Sequence, residues 1–367
     1  MASPHKKAYI LLAVGIAILG LVLSLMVIGY GRLKAAQKRM EEARDPSKLQ
    51  VLAAVDPCAD LARLVGGDFV QVSVLTPAGK SPETFAPTPA RLEAVAGSQI
   101  VLLTGTPVEE RFLDNMRDRA SDAAIVDLRD GVELMADHHH HHHDGDEEDD
   151  DRDHDHEAAL GGLHSIDPHL WTSPGVARQM ASTMAASFAK ADPDHAEEYH
   201  ANAARLDADL AALQREIALA LAPYEGRGFY VFHPAYGYYA REFGLEQRAI
   251  EVNGKSPKPR ELSALIKDAK SSDISVLIVQ PEFNRVAAQV VADAVGAELV
   301  DHSPLEAGYF DNVRKLTNAI LRSFNADPLP EAQTSVADAA EEAEETEQSD
   351  APSDAANKAA STASDAE

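Results

Sequence analysis

Residues 194–222 read DHAEEYHANAARLDADLAALQREIALALA, with Pro193 immediately before them and Pro223 immediately after. No glycine or proline interrupts the stretch. Leu206, Leu210, Leu213, Ile217 and Leu221 recur at intervals of three and four, which places them on one face of an α-helix. At about 1.5 Å per residue this is a rod of roughly 40 Å, longer than a small lobe needs for its own packing.

What flanks the rod decides the fold. On its N-terminal side, short apolar runs at 49–54, 69–75, 99–103 and 124–128 alternate with helical patterns at 59–65, 90–96 and 108–119. The alternation resumes after Pro223. Strands are predicted at 229–232, 247–252, 276–279 and 298–300, and helices at 235–243, 259–269, 285–295 and 309–324. Uninterrupted apolar strands such as Val276-Leu-Ile-Val279 suit parallel sheets covered on both faces. The expected fold is therefore α/β, with two parallel-sheet lobes joined by one long rigid helix and a cleft between them. The expected boundaries are an N-terminal lobe at 49–190, the linking helix at 191–222 and a C-terminal lobe at 223–325.

The chain beyond these lobes has a different character. Residues 8–31 carry no charge and follow Lys6 and Lys7. A run of about 20 apolar residues spans a bilayer, whereas a signal-peptide core has about 7–15. Tyr30-Gly31-Arg32 makes a poor cleavage site, so residues 1–31 are expected to stay as a membrane anchor, followed by a polar stalk at 32–48. The tail at 326–367 is Ala, Glu, Asp, Ser and Thr with few large apolar residues, a composition that does not order itself. The net charge of -27 argues against nucleic acid and anionic lipid as partners. Cys58 is the single cysteine, which excludes an intramolecular disulfide.

Between the fourth strand and the rod lies the least ordinary stretch. His138, His139, His140, His141, His142 and His143 are followed by the acidic run 144–151, then His154, His156 and His164, and then Asp167-Pro-His-Leu-Trp171. Imidazoles and carboxylates at this density cannot be packed into a core without partners. They do suit divalent metals, so 137–157 reads as an auxiliary metal-collecting loop that ends near the rigid candidate ligand His169.

Ligands of open parallel α/β sheets bind at the carboxyl ends of the strands. That rule selects Glu83 after the second strand, His169 after the fourth, His233 directly after the fifth, and Asp301 directly after the last. His302 is the alternative to Asp301. By chain order two come from each lobe, so the set would converge on the cleft as a four-ligand shell for a divalent metal.

Four motifs now give a specific resemblance: Ser81-Pro-Glu-Thr-Phe-Ala-Pro-Thr-Pro89, Asp167-Pro-His-Leu-Trp171, Val231-Phe-His-Pro-Ala-Tyr-Gly-Tyr-Tyr239 and Tyr309-Phe-Asp-Asn312. Over residues 49–324 the chain resembles the metal-binding solute-binding proteins of ABC importers for zinc and manganese. The resemblance implies two lobes on a single long helix, metal between them, His169 and His233 as ligands, and Asp301 as the carboxylate of the last loop. Zinc members commonly carry histidine where this chain has Glu83, and an oxygen-richer shell tolerates manganese or iron better. The histidine-rich loop pulls toward zinc.

The resulting expectation is a monomeric, extracytoplasmic binding protein, tethered by its N-terminal helix. It would capture Zn2+, with Mn2+ the alternative, and pass it to an ABC permease and its ATPase. A metal-dependent adhesin or buffer would share the same site. A metal-dependent hydrolase would need an open coordination position and a general base. No His-Glu-x-x-His motif is present, so no enzyme is expected.

Overall fold

The computed structural model describes residues 44–88, 91–92, 95–119, 122–136, 166–251, 259–271, 274–283 and 285–330. The expected anchor at 1–31, most of the stalk, the histidine-rich loop with His164, and the tail after residue 330 lie outside the described residues. So does part of the short helix expected at 90–96. Among the described residues, no helix is long and apolar enough to cross a membrane.

Two four-stranded sheets carry the fold, and every pairing in them is parallel. The first has strands β1 (Leu49–Ala53), β2 (Val70–Val74), β3 (Ile100–Leu103) and β4 (Ala124–Asp127), in the order β2-β1-β3-β4. The second repeats that order as β6-β5-β7-β8, from β5 (Gly228–Val231), β6 (Glu246–Ala249), β7 (Val276–Val279) and β8 (Glu298–Asp301). The central strands Ile100-Val-Leu-Leu103 and Val276-Leu-Ile-Val279 are buried at every position, as expected for strands covered on both faces.

Helices α1 (Asp56–Gly66), α2 (Pro107–Arg119) and α3 (Pro174–Ala191) belong with the first sheet. Helices α5 (Gly237–Glu242), α6 (Pro259–Ser271), α7 (Arg285–Val295) and α8 (Tyr309–Ser323) belong with the second. Each lobe has its own core. One gathers Leu52, Leu75, Val95, Val101 and Val108, and the other Tyr230, Phe232, Leu277, Val279 and Val291.

The rod is α4 (Ala196–Leu221), 26 residues long. Its buried residues are Tyr199, Leu206, Leu210, Leu213, Ile217 and Leu221, the apolar face read from the spacing. That face packs on α3 and α1, and burying each leucine contributes about 1.5–3 kcal/mol. Ser173 caps α3 by accepting from the amide of Val176 at 3.1 Å, with Pro174 in the first turn. Gly66 ends α1 under steric compulsion, since a Cβ there would sit 2.2 Å from Val70 Cγ2.

Two local departures matter for the site. The helix expected at 235–243 covers only Gly237–Glu242, because His233-Pro234 begins a turn whose Tyr236 amide donates to Gln247 Oε1 at 2.5 Å. The strand expected at 247–252 ends at Ala249. The following residues still run beside β5, with the amide of Ile250 donating to Val231 O at 2.9 Å and that of Glu251 to Phe232 O at 2.8 Å. This places Glu251 alongside His233.

Candidate metal centre

His233 follows β5, and its main chain is held on both sides by Gln280, which follows β7. The His233 amide donates to Gln280 Oε1 at 3.0 Å, and Gln280 Nε2 donates to the His233 carbonyl at 2.8 Å. The imidazole stacks on Phe283, with centroids 4.6 Å apart. Its Nδ1 lies 2.8 Å from Glu251 Oε2. Nε2 is therefore the nitrogen left to face the cleft.

His169 is fixed in the same manner by a nearer residue. Asp167 Oδ1 accepts both the His169 amide at 2.9 Å and ring Nδ1 at 2.7 Å, which leaves Nε2 for the cleft. A carboxylate on the far nitrogen of a metal-binding imidazole fixes its tautomer and raises its basicity. Each histidine here has such a carboxylate.

Glu83 completes the cluster. One ligand atom each from Glu83, His169 and His233 lie within 4.8 Å of one another. Glu83 Oε1 is 2.7 Å from His233 Nε2, an ion-pair contact that closes the cluster. A carboxylate oxygen and a ring nitrogen thus meet at a common point, where an imidazole proton now joins them. A tetrahedral ion with bonds of about 2.0–2.1 Å holds its ligands about 3.3 Å apart. Modest side-chain rotation takes the cluster to that shape, so two imidazole nitrogens and a carboxylate oxygen fit a zinc-type ion.

The electrostatics agree with the geometry. Burial alone would depress the His233 pKa, but the hydrogen bonds and charges of Glu251 and Glu83 outweigh it and lift the pKa to about 10. The two carboxylates hold a positive charge between them, and a divalent cation can take that place.

The fourth position is where the sequence expectation and the structure part. Asp301 lies at the end of β8 with its side chain 54% exposed and paired with Arg285, not in the cluster. His302 is buried, but both of its nitrogens are engaged. Nε2 donates to the Asn312 carbonyl at 3.0 Å, and Nδ1 accepts from the Tyr236 hydroxyl at 2.9 Å. Burial keeps this imidazole below its usual pKa, as befits a neutral ring within the lobe. His138 to His143, His154, His156 and His164 lie outside the described residues.

Neither orienting carboxylate was singled out from the sequence. Asp167 could have been found from its spacing two residues before His169. Glu251 could have been found by applying the strand-end rule to β6, which adjoins β5 in the sheet.

The chain is similar to known metal-binding proteins. The family model described as the periplasmic zinc-uptake complex component A, ZnuA, matches residues 51–323. A putative metal-binding protein of Treponema pallidum is 24% identical over 291 residues, covering 77% of this chain and 89% of that protein. A zinc-binding protein AdcA of Streptococcus pyogenes is 26% identical over 268 residues, covering 71% of this chain. The chain spans about half the length of AdcA, 51%. A crystal structure of a zinc-bound ZnuA deletion mutant superposes with a TM-score of 0.67 at 28% identity, over 77% of this chain and all of that one.

Proposed function

The chain belongs to the family of the periplasmic zinc-uptake complex component A, and we propose on that premise that it captures zinc and delivers it to an ABC permease. The family transports metal and performs no chemistry on it, so the chain is a binding protein and not an enzyme. The observation that carries the zinc reading is the convergence of Glu83, His169 and His233, each imidazole backed by a carboxylate. Zinc stands above manganese in affinity for sites built from nitrogen and oxygen, and two imidazoles keep that order despite Glu83.

In this reading the cleft residues bind and orient the ion. Asp167 and Glu251 keep Nδ1 of each ring occupied so that Nε2 faces the metal. The histidine-rich loop at 137–157 raises the local metal supply, and residues 1–31 keep the protein at the membrane beside its permease. The permease, its ATPase and the tether belong to this proposal and rest on family membership and sequence.

Competitive titration of the full chain with a zinc chelator, repeated with manganese, tests the reading. The parent should hold zinc more tightly than manganese. His169→Ala and His233→Ala should each lose at least about 10-fold in the tightest zinc affinity, the scale known for losses just outside the shell. Equal zinc affinity in parent and variants, or a preference for manganese, refutes it.

A further inference from the structure

The three residues of the cluster are not held by the same part of the molecule. His169 precedes the linking helix and would be assigned by chain order to the N-terminal lobe. Its hydrogen bonds tie it to the other lobe as well. The Asp167 carbonyl accepts from the Tyr238 hydroxyl at 3.0 Å, and the Trp171 carbonyl accepts from the Tyr309 hydroxyl at 2.8 Å. Trp171 Nε1 donates to the Pro304 carbonyl at 2.8 Å, and the Gly175 amide donates to Glu242 Oε1 at 3.0 Å. All four partners belong to the C-terminal lobe. The segment that carries His169 is thus laced to the lobe that carries His233, and the two rings stand 5.3 Å apart between centroids.

Glu83 arrives by another route. Its loop is a turn in which the amides of Thr84 and Phe85 both reach the Ser81 carbonyl, at 3.3 and 2.9 Å. Phe85 packs on the core of the N-terminal lobe. On its outer side the loop meets Arg111 of α2. Arg111 Nη1 donates to the Glu83 carbonyl at 2.5 Å, and Nη2 donates to the carbonyls of Pro82 and Phe85, each at 3.1 Å. A planar guanidinium can serve three carbonyls at once in a fixed arrangement, which an ammonium on a flexible stem cannot do. The Glu83 side chain is 22% exposed, whereas His233 and His169 are 5% and 8% exposed, so Glu83 stands on the solvent side of the cluster.

We propose that Arg111 is the positioning residue of a Glu83 arm, and that metal is captured and released by motion of this arm against a preassembled histidine pair. The inference rests on the reading of the cluster as the metal site. In it, His169 and His233 receive the ion as a fixed pair. Glu83 then closes the solvent side, and the rate of release is set by how firmly Arg111 holds the turn at residues 82–85.

The test compares zinc release into excess chelator by stopped flow for the full chain and for Arg111→Ala, Arg111→Lys, Glu83→Ala and the Glu83→Ala/Arg111→Ala double variant. Amide exchange of the metal-free proteins is read over 81–88 and over 167–173, and circular dichroism confirms folding. Arg111→Ala should speed release about 10- to 100-fold, the range for losing a group that orients a ligand. Arg111→Lys should recover part of the loss. Exchange should rise over 81–88 and stay unchanged over 167–173. In the Glu83→Ala background, Arg111→Ala should change release less than about twofold, because the two residues act as one unit.

Unchanged release in Arg111→Ala, with Glu83→Ala clearly impaired, overturns the arm and leaves the metal site standing. An undiminished Arg111→Ala effect without Glu83 shows that Arg111 supports the lobe at large, which also overturns it. If Glu83→Ala, His169→Ala and His233→Ala all hold zinc like the parent, the site reading itself has failed.

Discussion

Zinc capture should expel a proton from His233, and this should show as a pH dependence that an ordinary histidine site would lack. The ring lies between Glu251 on Nδ1 and Glu83 on Nε2, at 2.8 and 2.7 Å. Burial opposes its charge, the two carboxylates override burial, and the pKa stands at about 10. In the metal-free protein the imidazole is therefore protonated at neutral pH. A metal needs the lone pair on Nε2, so the proton facing Glu83 must leave while the one on Nδ1 stays, donated to Glu251. Each pH unit below the pKa lowers apparent affinity tenfold, about 1.4 kcal/mol, which amounts to about a thousandfold at pH 7.

The assay is chelator competition from pH 6 to 9, with calorimetry in two buffers of different ionisation enthalpy to count the protons released. Zinc affinity should climb about tenfold per pH unit across the range, with one proton released from His233 at pH 7.5. An unperturbed imidazole, with a pKa of about 6.5, would give a plateau above roughly pH 7.5. A plateau there, or no proton release, would refute the argument. Stability has a linked sign. Because the folded pKa is raised, the stabilisation is fully present below pH 6.5 and is lost as pH rises through about 10. The melting temperature of the zinc-free protein should fall over that window. The zinc-loaded protein, with Nε2 already deprotonated, should not follow it.

Three further outcomes separate the cluster from its surroundings. Asp301→Ala should leave zinc affinity within about twofold and remove only an exposed pair with Arg285, worth at most about 1 kcal/mol; a loss of tenfold or more would return Asp301 to the metal shell. His302→Ala should instead lower stability, because the Tyr236 hydroxyl and Asn312 carbonyl lose a buried partner at about 1–3 kcal/mol, with zinc stoichiometry unchanged; a missing equivalent of zinc in titration would make His302 a ligand. Deleting 137–157 should reduce the total zinc bound at saturation while the tightest affinity stays nearly the same, since the cluster's ligands are oriented by Asp167 and Glu251 without the loop; loss of the tightest site would move the main centre into the loop.

How much of this was legible in the sequence depended on which kind of signal each feature has. The rod, the central strands Ile100–Leu103 and Val276–Val279, and the placing of His233 directly after β5 are backbone matters, and hydrophobic periodicity reports backbone well. The strand-end rule selected Glu83, His169 and His233, which the structure brings together, because it asks only where a residue sits along its strand or loop. It could not tell Asp301 from a ligand, because strand position does not say which way a side chain turns. Asp301 turns to Arg285, sixteen residues back on α7, and only the folded lobe brings the two together.

The ties between the His169 segment and the other lobe were hidden for a related reason. Order along the chain places it before the linking helix, but the hydroxyls of Tyr238 and Tyr309, donating to main-chain carbonyls, bind its segment to the other lobe. Aromatic hydroxyls leave no periodicity when they act as long-range ties. The same blindness hid Arg111, a single exposed arginine on an ordinary amphipathic helix until three carbonyls of the Glu83 loop are seen around it. Sequence patterns of this kind can locate the residues of a candidate metal centre. The carboxylates and arginine around those residues come to light mainly where distant segments meet, and on the proposal above they would set proton cost and release rate. Two chains with the same three ligands can therefore share a metal and differ in how readily they give it up.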